Sequence, residues 1–243
     1  QERHYYAELD SHQKQSVYLS AKKIAVTLFL ITVVLLVLHM VVYALQNPLP
    51  ASVAEPLDGL FNLSRENNFP TYFSAFLLLF SGLFALVIYQ YKKSTKAKFR
   101  LQWMLLGLVL IFLSLDEAVQ IHERLTKFTA PKFTFLDSAF LTFAWVIPYT
   151  ILFLVVAVYF LKFVLALPNR TRNLFIASGI LFIGGALGFE FIESYVVSHN
   201  GFNQVYWWLA TVEEVMEITG VIVLVYALLD YIKTAGIQLS FKN

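Results

Sequence analysis

Apolar positions along this chain come in six long blocks, residues 24–45, 72–91, 101–122, 140–167, 174–197 and 207–232, separated by shorter polar stretches. Each block is near or above the roughly 20 residues that carry an α-helix across a bilayer. The pattern predicts an all-α, polytopic membrane protein: a bundle of six transmembrane helices forming one domain over residues 1–243, with a polar cytoplasmic lead at residues 1–23. The fourth block is the longest and holds Pro148, which predicts a tilt or kink there. The polar lead and the length of the first block do not read as a secretory signal. The outer loop at 46–70, with Pro48, Pro50 and Pro56, leaves room for a short interfacial helix, and Asn62-Leu63-Ser64 reads as a glycosylation sequon.

Basic residues set the expected orientation. Arg3, Lys14, Lys22, Lys23, the cluster from Lys92 to Arg100, Arg170, Arg172, Lys233 and Lys242, with a snorkelling Lys162, fall on one side and make up 14 of the 18. Arg65, Arg124, Lys127 and Lys132 fall on the other. The positive-inside rule then places both termini in the cytoplasm, N-in and C-in, and we expect a bacterial plasma (inner) membrane as the location.

Composition agrees: 58% of residues are apolar, and the 14% that are charged fall well below the ~25% of soluble domains. No basic, aromatic-interleaved face suggests nucleic acid as a partner. The expected surroundings are membrane lipids, with partner membrane subunits or a homo-oligomer as further partners. With no cysteine in the chain, disulfides, thiolate metal sites and a cysteine nucleophile drop out.

The chemistry lies in the acidic residues. Eight of the 16 sit in or at the ends of three apolar blocks: Asp116, Glu117 and Glu123; Glu190 and Glu193; Glu213, Glu214 and Glu217. An ionised carboxylate at a helix centre costs about 2.5–3.5 kcal/mol even on the lenient insertion scale, so such groups face a bundle interior and mark a site. At 1.5 Å per residue, Asp116 and Glu190 lie roughly 22–24 Å along outward-running helices, and Glu213 and Glu217 roughly 9–15 Å along an inward-running one. All fall in the outer half of a core about 30 Å thick. His39, in the first block, shares that depth.

Spacing selects faces. Glu190/Glu193 and Glu214/Glu217 are i,i+3 pairs, and Glu213/Glu217 is an i,i+4 pair. His122 lies six residues past Asp116, about 120° off its face, and joins it only if the helix end unwinds. Gly184 and Gly188 form a small-xxx-small pair for close helix approach, and Gly220 leaves space beneath the acids of the last helix. Trp103, Trp207 and Trp208 read as interface anchors.

Three arrangements would offset so much negative charge: protonated acids, a divalent cation, or a hydrated vestibule. Carboxylate-rich helix bundles hold di-iron or di-manganese centres, though with Glu-x-x-His pairs that this chain lacks. Oxygen-rich donor sets also suit calcium. The expected ligands of a divalent metal (iron, manganese, calcium or zinc) are Asp116, Glu123, Glu190, Glu193, Glu213, Glu217 and His39. Glu117, Glu214 and His122 are the expected acid–base residues of a metal-dependent enzyme acting on a lipid or apolar substrate. A cation or proton transporter using the same acids, and a non-catalytic subunit of a larger membrane complex, remain open. The signatures His-Glu-x-x-His and Gly-x-Ser-x-Gly do not occur.

Overall fold

The computed structural model describes residues 20–133, 139 and 142–238. The N-terminal lead therefore lies outside the described residues up to position 19, as do the first two residues expected in the fourth span. Among the described residues the chain is all-helical and contains no strand. Six helices are long and apolar enough to cross a membrane, which marks an integral membrane protein.

The elements in chain order are α1 (Ala21–Leu45), α2 (Ala51–Phe61), α3 (Phe69–Ser94), α4 (Arg100–Val119), α5 (Ile121–Thr129), α6 (Val146–Leu165), α7 (Asn169–Ile183), a π-helical segment (Gly184–Phe189), α8 (Glu190–Asn200) and α9 (Gln204–Thr234). The spans are α1, α3, α4, α6, the continuous run Asn169–Asn200, and α9. Helix starts follow local chemistry. Ser20, Asn68 and Asn203 each cap a helix by accepting a backbone N–H of its first turn, which satisfies donors that have no partner inside the helix.

α9 is the hub, packing against α1, α3, α7, the π segment and α8, while α4 packs along α3. Glycines set these approaches. A Cβ at Gly107 would stand 2.8 Å from the Leu86 side chain and 3.0 Å from the Gly82 carbonyl oxygen, and one at Gly82 would stand 2.9 Å from the Gly107 oxygen, so α3 and α4 meet backbone to backbone. At Gly220 a Cβ would lie 2.7 Å from the Phe182 nitrogen. The space expected at Gly220 is thus filled by α7, and Ser178 donates to the Gly220 carbonyl at 2.8 Å. Gly188 has open space around it; Gly185 makes the close contact instead, against the Glu217 side chain (2.8 Å) and the Glu213 carbonyl (3.0 Å). The core joins α3, α4, α6, α7 and α9 around Trp103, which is 1% exposed. Trp103 is a core residue rather than an interface anchor.

Two departures from the expected spans bear on the site. The third span ends at Val119, because Gln120 adopts the left-handed conformation (φ 57°, ψ 48°) and α5 starts on a new axis. The fourth begins at Val146 rather than residue 140, after turns at 142–145. The loop at 46–70 contains the expected short helix, α2. From its last turn Asp58 accepts from Gln46 (2.7 Å), Asn62 (2.9 Å) and Arg65 (2.9 Å), and Asn68 donates to the carbonyls of Asn62 and Arg65. Asn62 is buried in this knot and is not an accessible sequon.

The glycine contacts yield a direct test. Gly220→Ala should lower the thermal midpoint in detergent by the equivalent of about 1–3 kcal/mol, as overpacking does. Gly179→Ala, where a Cβ meets nothing within 4 Å, should be neutral or stabilise by about 0.5–1 kcal/mol by removing a helix-interior glycine.

Candidate functional site

A cavity of roughly 590 Å³ opens among α4, α6, α7 and α9. Asp116, Glu117, His122, Glu123, Glu190, Glu193, Glu213, Glu214 and Glu217 all line it. Three spans therefore bring the expected acids to one place. α4 packs on α3 and faces α9 across the cavity.

Glu190, Glu193 and Glu213 form the tightest group, each offering a carboxylate oxygen within 4.8 Å of the others. Glu190 and Glu193 follow the π segment, whose wider turn shifts the helix phase just before them. The contact at Gly185 presses that segment onto the Glu213–Glu217 turn of α9. Trp145 Nε1 donates to Glu190 Oε1 at 3.2 Å. Ser194 accepts the Phe143 backbone N–H and donates to the Ala139 carbonyl, docking the segment before α6 onto α8. Glu193 is 2% exposed, and its Oε1 is buried with no hydrogen-bond partner.

A second group sits on the α4–α5 corner. The left-handed turn at Gln120 swings His122 back over Asp116, which is the unwinding that spacing required of it. Asp116 Oδ1 accepts the His122 backbone N–H (2.8 Å) and faces His122 Nδ1 (3.3 Å), while Oδ2 accepts the Tyr149 hydroxyl (2.9 Å). His122 Nε2 lies 3.1 Å from Glu66 Oε1. With a carboxylate at each ring nitrogen, His122 is an imidazolium donating both ways. Burial opposes its charge, but hydrogen bonds to Asp116 and Glu66, with their negative charges, prevail and raise it to about 11. Glu123 is raised by burial and then by the charge of Glu66, against the pull of His122.

His39 lies apart, and the structure corrects its reading as a ligand. It does not line the cavity. Its Nδ1 accepts the Leu63 backbone N–H (3.1 Å), and its Nε2 meets Thr211 Oγ1 (3.0 Å), which itself donates to the Trp207 carbonyl (2.8 Å). The ring stacks on Trp207 with centroids 4.5 Å apart. Both nitrogens are engaged, so His39 pins the loop between α2 and α3 to α9. Asp116 is similarly occupied on both oxygens, which sets it off from the triad.

Helical periodicity missed four cavity residues: Glu66, Trp145, Tyr149 and Tyr206. Glu66 hides in a polar loop where one more carboxylate draws no notice. The i,i+4 spacing of Trp145 and Tyr149 around Pro148 was the available signal for those two.

The chain belongs to the family described as a domain of unknown function (DUF8692), whose model matches residues 27–232. No curated protein and no solved structure matches it.

His122 leads to a pH prediction. Its folded-state pKa lies above the ordinary ~6.5, so its stabilising contribution is complete below pH about 6.5 and lost as pH rises towards about 11. Thermal midpoints compared between wild type and His122→Gln should converge over that window. A difference that stays constant or widens would show that His122 is not charged in the fold.

Proposed function

We propose that this membrane protein holds a divalent cation on Glu190, Glu193 and Glu213, and uses it on an apolar substrate in the same cavity. The observation that carries the reading is Glu193 Oε1, a buried carboxylate oxygen with no hydrogen-bond partner, on a residue that shares with Glu190 and Glu213 a set of carboxylate oxygens within 4.8 Å of one another. A buried, unpaired acceptor of this kind is costly unless a proton or a cation meets it. The donor set is entirely oxygen, which suits a hard cation such as manganese, magnesium or calcium better than a thiolate- or imidazole-seeking one. The Trp145–Glu190 hydrogen bond is the kind of outer contact that orients a ligand.

A divalent cation, when bound, acts as a Lewis acid or lowers the pKa of a bound water. The chain's own residues would do the rest. Glu117 and Glu214 line the cavity beside the triad and are the groups we assign to proton transfer. His122 has both nitrogens turned to carboxylates, so it lacks the free lone pair of a base; we assign it to charge balance and to positioning Asp116 and Glu66. The walls beyond the acids are apolar, which supports an apolar substrate over an ion path. Both termini on the cytoplasmic side, with the cavity towards the outer leaflet, completes the picture drawn from the basic residues.

Elemental analysis of the purified protein, followed by chelation and re-addition, tests this. About one divalent cation per chain is expected, and re-addition at about 100 times Kd should stabilise the protein by roughly 2.7 kcal/mol. Glu193→Gln and Glu213→Gln should abolish both effects, and Trp145→Phe should weaken binding about tenfold. Protein free of stoichiometric metal and thermally indifferent to every divalent cation added would end the proposal.

A further inference from the structure

The acids occupy only one end of their cavity. Along α4 it runs from Glu117 to Leu105, roughly 18 Å at the rise of an α-helix. Over that length its walls include Leu105, Val109 and Phe112 of α4 and Leu152, Phe153 and Val156 of α6. Its volume, about 590 Å³, falls within the ~300–1,000 Å³ typical of small-molecule sites. Space of this kind with apolar walls forfeits dispersion contacts and does not hold water well, so a hydrocarbon chain is its natural filling.

The cavity also has a side opening. α4 and α6 are tied at one end by Trp103 against Phe163, ring centroids 5.0 Å apart, and at the other by Tyr149 on Asp116 at 2.9 Å. Between the ties, Leu108, Phe112 and Leu152 line the cavity and are also 50%, 43% and 52% exposed on the apolar exterior. A chain can therefore pass between the two helices directly from the bilayer. With the acids at the outer end, such a molecule would keep the orientation it has in the outer leaflet, polar head out and tail towards the midplane.

Charge selects the head. Nine acidic residues line the cavity, the eight expected ones and Glu66, against Arg65 and His122. An anionic head would add to this negative charge, whereas a hydroxyl or amine offers donors to a surface of acceptors. We propose that the cavity takes a single-chain amphiphile with a hydroxyl- or amine-bearing head, entering sideways between α4 and α6 and lying with its head beside Glu117 and Glu214. This names the substrate class of the site proposed above and rests on that reading for its catalytic meaning.

The test uses the purified protein in nanodiscs and four probes of one chain length, each with a photoreactive diazirine at the chain end and an amine, alcohol, carboxylate or phosphate head. The amine and alcohol probes should label peptides from α4 and α7 saturably, and the carboxylate and phosphate probes about tenfold less. Gly179→Phe fills the apolar arm from a position with no neighbour within 4 Å of a Cβ, and Val109→Phe fills it from α4. Both should cut labelling about tenfold while divalent-cation content, measured on the same samples, stays at the wild-type level. Labelling indifferent to both plugs, absent with every probe, or equal for the phosphate head would overturn the inference. Labelling without any bound cation would leave the amphiphile standing and remove the metal, and a bound cation without labelling would do the reverse.

Discussion

Carboxylates inside an apolar bundle need partners, and much of this structure is arranged around that need. The structure answers it in two ways. At the α4–α5 corner, an imidazolium lies between Asp116 and Glu66, with the Tyr149 hydroxyl on the remaining Asp116 oxygen. That group holds a basic side chain of its own between two carboxylates, and Glu66 Oε2 is buried there without a hydrogen-bond partner. The triad of Glu190, Glu193 and Glu213 differs: it has the Trp145 indole and, among the described residues, no basic side chain bonded to it, and Glu193 Oε1 has no hydrogen-bond partner. A basic side chain within one group and none bonded to its neighbour is what separates the clasp from the candidate binding site.

Breaks in helical regularity make both groups. An uninterrupted α4 would carry His122 away from Asp116; the left-handed Gln120 returns it. The π segment before Glu190 sets the phase of Glu190 and Glu193, and the missing Cβ at Gly185 lets that segment press against the acid-bearing turn of α9. Irregular backbone of this kind is disfavoured in a lipid-exposed helix and tolerated where it is buried in protein or lines a cavity. Below the acids, α4 and α6 separate around an apolar space whose head-to-tail polarity matches that of an amphiphile in one leaflet.

The six candidate spans, the short helix α2 and the convergence of three acid-bearing helices were legible in the chain itself, because hydropathy and the rise of a helix are local properties that survive without knowledge of contacts. His39 shows where that reasoning stops. Its depth matched the acids, yet depth along a helix says nothing about which way the ring turns, and Leu63, Thr211 and Trp207 claimed it. Glu66 shows the opposite failure. It lies in a loop with no period to read, and only the knot around Asp58 and Asn68 aims it at His122.

Sequence alone therefore determined the all-helical class of molecule, the number of helices long and apolar enough to cross a membrane and which of them carry the acids, since each follows from hydropathy summed along a single helix. Tertiary structure decided which acids form a group, which are already neutralised and which face an open cavity. Those outcomes depend on side-chain direction and on close approach between helices far apart in the chain, and at Gln120 and the π segment a shift of one residue in phase reassigns every contact that follows.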